Sequence, residues 1–180
     1  MKKKILLCGR TGTGKSTIAK EMSRYGYSQV VSYTTRPKRD SETESADHYF
    51  ISPEEVNAYR DNIVAYTKIG EYEYFATKEE LDKKDIYVID PSGIENIKKI
   101  VGDEYDFVEV YLRTPKKELC ERYTQRKQTK KEFEKRYMAE NKQFLEYERA
   151  RNFQYHILNS GITIDKCVEK LKRLMENEGF

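Results

Sequence analysis

Short apolar runs separated by long charged stretches set the rhythm of this chain. Ile5–Cys8 is continuous and apolar, as a strand covered on both faces should be, and Asp85–Ile89, Phe107–Leu112 and Tyr155–Leu158 repeat the pattern. Between these runs the spacing turns helical. It predicts a helix over about 15–25 closed by Gly26, another over 93–101, and a third after Thr114-Pro115, which would cap it. A long helix over 130–149 carries Phe133, Tyr137 and Phe144 on one face, and Ile164, Cys167, Val168, Leu171, Leu174 and Met175 define an amphipathic closing helix. Strands alternating with helices predict an α/β fold of three layers, a parallel sheet covered by helices on both faces.

One segment breaks that rhythm. Ile63–Thr77 alternates, is rich in Tyr, Val and Ile, and has Gly70 in its middle, so it reads as two antiparallel strands. Ser52-Pro53-Glu54-Glu55 and Thr77–Glu80 each read as a helix start, a hydroxyl cap followed three residues later by glutamate. With no internal repeat, low-complexity tract or flexible linker, residues 1–180 form a single domain. It is read as a core of about 1–33 and 83–180, interrupted by an antiparallel or mixed insert of about 34–82.

Composition narrows the partners. The net charge is +3, from 34 basic and 31 acidic residues, so no global field calls for nucleic acid. Cys8, Cys120 and Cys167 are far apart and the only histidines are His48 and His156, which gives no metal-ligand spacing and suits reduced thiols. The apolar run after Met1-Lys2-Lys3-Lys4 ends at Gly9, too short for a secretory signal, and no run is long enough to span a membrane. The expectation is a cytoplasmic protein.

The strongest chemical signal is Gly9-Arg10-Thr11-Gly12-Thr13-Gly14-Lys15-Ser16, a match to G-x-x-x-x-G-K-[ST] between a buried strand and a helix. Glycines let the backbone wrap phosphates and aim its N–H groups inward, and the helix N-terminus adds partial positive charge. Lys15 is expected to bridge the outer phosphates of ATP, and the Ser16 hydroxyl to bind Mg²⁺. The dinucleotide fingerprint fails, because Thr17 stands where its third glycine belongs. Asp90 ends an apolar strand, the place of a carboxylate near metal or acceptor, although strands also end in aspartate for turn reasons alone. Arg36 and Arg39, after the hydroxyl-rich Ser32-Tyr33-Thr34-Thr35, suit a phosphate, since arginine forks bind its oxygens in pairs. A solvated basic loop is the plainer reading of that stretch taken alone.

Those segments together make the chain resemble the guanylate kinase family of nucleoside monophosphate kinases over nearly its whole length. The resemblance rests on the phosphate loop, Ser32-x-Thr34-Thr35-Arg36-x-x-Arg39 and Asp47-His48-Tyr49-Phe50. Tyr74, Asp90-Pro91-Ser92-Gly93, Arg122, Arg126, Arg136 and Asn159 extend it. It implies a P-loop core, a monophosphate-binding insert and a helical lid over about 122–140, acting on small-molecule nucleotides. ATP would be held by Gly9, Thr11, Gly12, Thr13, Gly14, Lys15, Ser16 and Thr17 with Arg122, Arg126 and Asn159. The acceptor would be held by Ser32, Arg36, Arg39, His48, Tyr49, Tyr74 and Asp90, and Lys15, Arg36, Asp90, Arg126 and Arg136 would carry the transfer. Surface helices are often this charged, so the lid arginines have a purely solvated reading too.

The resemblance also implies a glutamate in the strand before Tyr74 and a hydroxyl two residues after it, which together read guanine. Here those positions are Ala65 and Ala76, His48 replaces a tyrosine that Tyr49 would restore after a one-residue shift, and Thr67, Glu71 or Glu73 would compensate in another hairpin register. The expected reaction is ATP plus GMP or dGMP giving ADP and the diphosphate. A different phosphorylated acceptor, such as another nucleotide or a sugar phosphate, is the alternative, and a non-catalytic binding module of the same family is a third.

Overall fold

The computed structural model describes residues 1–38, 40, 42–46, 48–126, 128–150 and 153–180. In chain order the strands and helices are β1 (Lys2–Cys8), α1 (Lys15–Glu21), β2 (Tyr33–Thr34), β3 (Tyr49–Phe50), β4 (Ile63–Ile69), β5 (Tyr72–Thr77), α2 (Lys78–Lys83), β6 (Ile86–Val88), α3 (Pro91–Val101), β7 (Tyr105–Arg113), α4 (Lys116–Gln125), α5 (Lys130–Ala150), β8 (Tyr155–Leu158) and α6 (Ile164–Asn177).

The core sheet has the order β6-β1-β7-β8, and every pairing in it is parallel. Side chains of a strand alternate between faces, and here both faces are apolar. Ile5, Leu7, Val108, Val110 and Leu112 pack under α1 and α6 against Ile18, Cys167, Val168, Leu171 and Met175. Leu6, Cys8, Phe107 and Tyr111 face the other way, toward Ile94 and Ile97 of α3 and Phe144 and Tyr147 of α5. Glu109 points into that second face and is 1% exposed. It is paired there by the Lys98 ammonium and by the Tyr147 hydroxyl, which donates at 2.5 Å. Burying that carboxylate is tolerable only because both partners reach it.

The insert is a second sheet of order β3-β2-β5-β4, mixed because β2 and β3 run parallel while β5 is antiparallel to β2 and β4. The hairpin between β4 and β5 turns at Gly70, whose φ of 64° suits a residue without a β-carbon. Thr77 caps α2 by accepting from the Glu80 N–H, as its spacing suggests. Val64, Ala65 and Ala76 join the core cluster of α3, so the insert is packed on the core sheet's edge rather than tethered to it.

Four local expectations change. The helix expected over about 15–25 is α-helical only to Glu21 and runs on to Gly26 as 3₁₀ turns over Met22–Tyr25. Residues after Ser52 form 3₁₀ turns over Glu54–Asn62 instead of an α-helix, although the Ser52 N–H does donate to the Glu55 carboxylate at 2.7 Å. The predicted helix from Gly93 starts earlier, at Pro91, with Asp90 as its cap. Thr114 does not cap α4, where Pro115 is the N-cap residue; its hydroxyl donates to the Asn159 carbonyl at 3.1 Å and ties β7 to the end of β8.

Candidate active site

The chain leaves β1 at Gly9 and cannot do so with any side chain there, because a β-carbon would lie 2.4 Å from the Leu112 carbonyl oxygen of β7. It re-enters helix at Gly14, the N-cap of α1, with φ 94°. Between them the Thr13 hydroxyl donates to Arg10 O at 2.8 Å. Further carbonyls of the loop are also taken. Asn159 Nδ2 donates to Thr13 O at 2.8 Å, Arg122 to Gly12 O at 3.3 Å, and Lys15 Nζ to Gly9 O at 2.5 Å and Arg10 O at 3.0 Å. Engaging the oxygens this way leaves the amide edge of the turn to an anion. Burial pulls the Lys15 ammonium below the usual lysine value, against the nearby carboxylates of Glu140 and Asp90, which favour its charged form.

Lys15 lines a cavity of about 780 Å³ together with Gly9, Ser32, His48, Tyr74, Asp90, Arg136 and Glu140. The cavity therefore runs from the phosphate loop to the insert. On the insert side, Arg36 Nε donates to the Tyr74 hydroxyl at 3.2 Å and its two terminal nitrogens fork onto the Glu42 carboxylate at 3.0 and 2.7 Å. Burial works against the Arg36 cation, but the bonds to Glu42 and Tyr74 outweigh it and raise its value. Ser32 reaches the same space and bonds the buried Tyr87 hydroxyl, which burial pushes up to about 12.

Most of the expected residues thus converge, and several do not. Arg39, and Asp47 of the neighbouring motif, lie outside the described residues. His48 lines the cavity, whereas Tyr49 points the other way, its hydroxyl donating to Glu80 on α2 at 3.2 Å; adjacent strand residues face opposite sides, so both cannot enter. Arg122 and Asn159 brace the loop from behind. Thr17 is exposed on the first turn of α1, and Arg126 is exposed at the end of α4, its backbone N–H on Tyr123 O. Arg136 does reach the loop, donating to the Thr11 hydroxyl at 3.3 Å.

At the insert end of the cavity, no acidic side chain among the described residues lines the wall. Ala65 and Thr67 lie on one face of β4, opposite Ala76 and Tyr74, and line the cavity together with Tyr66 and Lys68 of the other face. Glu73 sits one residue out of phase and accepts from the Tyr66 hydroxyl at 2.6 Å, while Glu71 is exposed in the turn. Ala76 is fully buried in the core. Of the compensating residues considered, only Thr67 is available. Among the described residues, the carboxylates lining the cavity are Asp90 and Glu140, both on the side of the phosphate loop. Asp90 Oδ1 caps α3, accepting from the Gly93 N–H and the Ser92 hydroxyl at 2.8 Å each. Glu140 and Glu42 were not anticipated; the four-residue step from Arg136 to Glu140 on one helix face was the available clue to the first.

A family model described as Guanylate kinase matches residues 1–178. The chain is 33% identical over 112 residues to a guanylate kinase of Salinibacter ruber, covering 56% of this chain and 58% of that protein. It is 24% identical over 184 residues to a chloroplastic/mitochondrial guanylate kinase 2 of Oryza sativa subsp. japonica, covering 97% and 64%. The chain spans less than two thirds of the length of these curated relatives. Among solved structures it resembles a guanylate kinase from Anaplasma phagocytophilum at a TM-score of 0.72 and 19% identity, over 98% of this chain and 86% of that one. That likeness shows the fold.

Proposed function

The chain belongs to the guanylate kinase family, and from that premise we propose that it transfers the terminal phosphoryl group of ATP to GMP or dGMP, giving ADP and the nucleoside diphosphate. One observation carries the reading: the phosphate loop and the Arg36–Tyr74 pair open on a single cavity, through Lys15 at one end and Tyr74 at the other. Phosphoryl transfer asks a protein mainly to align two anionic groups and neutralise their charge. In this reading the core binds the donor, the insert of about 34–82 binds the acceptor, and the helices of about 122–140 close over both. Lys15 moves from the loop carbonyls to the phosphates, Arg36 and Tyr74 hold the acceptor's phosphate, and Arg136 stands between the two. A cytoplasmic setting belongs to the same reading; among the described residues no helix is long and apolar enough to cross a membrane.

The family implies Mg²⁺, and the residues fit it. Mg²⁺ keeps several waters and takes one or two protein oxygens beside substrate phosphates. The exposed Ser16 hydroxyl on the first turn of α1 offers such an oxygen, and no cluster of three acidic, Cys or His side chains is present among the described residues to form a protein cage. Ser16 would hold the ion against the donor's phosphates, where its charge would offset theirs.

Asp90 already has a structural task, which makes its chemical one testable. Asp90→Asn keeps an oxygen to cap α3 but removes the charge facing Lys15. It should leave the denaturation midpoint unchanged and lower turnover by about 10²-fold. Asp90→Ala should lose the cap as well, costing about 1 kcal/mol. Full activity in the Asn variant would leave Asp90 as a cap only.

The neutral base end, with Ala65 and Thr67 facing the cavity, favours a second reading in which the acceptor is another phosphorylated molecule. A carboxylate facing the guanine N1 and N2 hydrogens supplies bonds that a methyl group does not. ADP release measured across all ribo- and deoxynucleoside monophosphates and a pentose phosphate decides between them. GMP or dGMP is expected to turn over; activity confined to a non-guanine acceptor would replace the first reading with the second.

A further inference from the structure

The phosphate loop already holds an anion, and it comes from the chain itself. The Glu140 carboxylate accepts from the Thr11 N–H at 3.1 Å and from the Thr11 hydroxyl, and it receives Arg136 Nε at 2.7 Å. Arg136 closes the triangle by donating its second guanidinium nitrogen to the Thr11 hydroxyl at 3.3 Å. Glu140 is 14% exposed on its side chain and lines the cavity beside Lys15.

A four-residue Arg–Glu pair on a helix is by itself ordinary surface chemistry. This one is not confined to its helix, because the carboxylate reaches 129 residues back in the chain to a backbone amide of the turn that should face phosphate. Burial opposes its charge, yet the Thr11 bonds and the Arg136 guanidinium keep its value below the usual carboxylate range, so the group is an anion at neutral pH. A backbone N–H, a hydroxyl and a guanidinium converging on one oxyanion form a set that recognises a phosphoryl group equally well.

We propose that Glu140 sets the donor site's preference between nucleoside triphosphate and diphosphate, by occupying the subsite of Thr11 and Arg136 that the terminal phosphate must take. The inference rests on the donor-site reading above. ATP has to displace Glu140, or bind against its charge, whereas ADP has no terminal phosphate to place there. The residue therefore narrows the affinity gap between the two. Its hydrogen bonds go to Thr11 and Arg136, while Lys15, which feels its charge, bonds the Gly9 and Arg10 carbonyls.

The test is the ratio of dissociation constants for ADP and for a non-hydrolysable ATP analogue, both with Mg²⁺, measured by calorimetry on the whole chain. Glu140→Gln preserves shape and removes charge; Glu140→Ala removes the contact altogether. In both, the ratio is expected to rise more than three-fold over the wild type, through tighter binding of the analogue. General loosening of the loop would weaken both ligands together and leave the ratio in place. A ratio that stays within three-fold of the wild type, or falls, in either variant overturns the proposal. Wild-type protein that binds neither nucleotide would instead overturn the phosphotransferase reading, and this one with it.

Discussion

Replacing Lys15 with alanine is expected to lower kcat/KM for phosphoryl transfer by about 10³- to 10⁴-fold while leaving the fold intact. The side chain is half-buried at the end of the cavity, and its ammonium is bonded to the Gly9 and Arg10 carbonyls at 2.5 and 3.0 Å. Those bonds hold a cation of lowered proton affinity at the mouth of the loop, near the Glu140 and Asp90 carboxylates. A triphosphate offers it a far stronger counter-charge. As the transferred group carries negative charge in the transition state, a cation fixed beside it contributes most where water is excluded. The structural loss is small: two carbonyl acceptors in a wet cavity, about 1 kcal/mol in all. Steady-state ADP release and thermal unfolding on the same preparation separate the two effects. Activity within ten-fold of wild type would remove Lys15 from the chemistry and revive the non-catalytic module, whose partner binding this substitution would leave untouched.

The contrast between Lys15 and Glu140 shows what the sequence can and cannot convey. Lys15 belongs to a contiguous pattern whose spacing dictates its own geometry, a buried strand running into glycines and a helix start, and all of that is local. The alternation that places Ile5 and Leu7 on one face of β1 and Leu6 and Cys8 on the other is equally local. Glu140 acquires its meaning only when α5 crosses the loop, a contact across 129 positions that no short-range pattern encodes. Between these extremes lie residues whose neighbourhood was legible and whose direction was not. His48 and Tyr49 are adjacent, and a single step along β3 decides which enters the cavity. Glu73 pairs with Lys68 while Tyr74 pairs with Thr67, and its carboxylate is taken by the Tyr66 hydroxyl. The 3₁₀ turns over Glu54–Asn62 carry a helix-start signal whose apolar follow-through is a lone buried Val56; a capping pattern without a face to bury does not sustain an α-helix.

At the acceptor end, Arg36→Met is expected to raise KM for the acceptor by about 10²-fold or more, with the affinity for an ATP analogue unchanged. Arg36 and Glu42 are 10% and 14% exposed on their side chains, and the fork between them is bidentate. An incoming phosphate competes with that carboxylate for the same planar donors, and Tyr74 marks the direction from which it comes. Each hydrogen bond from a charged donor contributes about 1.5–3 kcal/mol, so losing even one productive pair gives a factor of this size. The substitution has a second consequence. Glu42 loses the two hydrogen bonds of the Arg36 fork, which costs about 1.5–3 kcal/mol of stability. Arg36→Met combined with Glu42→Gln removes the carboxylate charge that the fork had balanced, and most of that stability should return while the acceptor KM stays high. Only a phosphate-binding role predicts that split. If the double variant recovers acceptor KM along with its unfolding midpoint, Arg36 is a structural ion-pair partner, and the acceptor's phosphate must be sought elsewhere along the cavity.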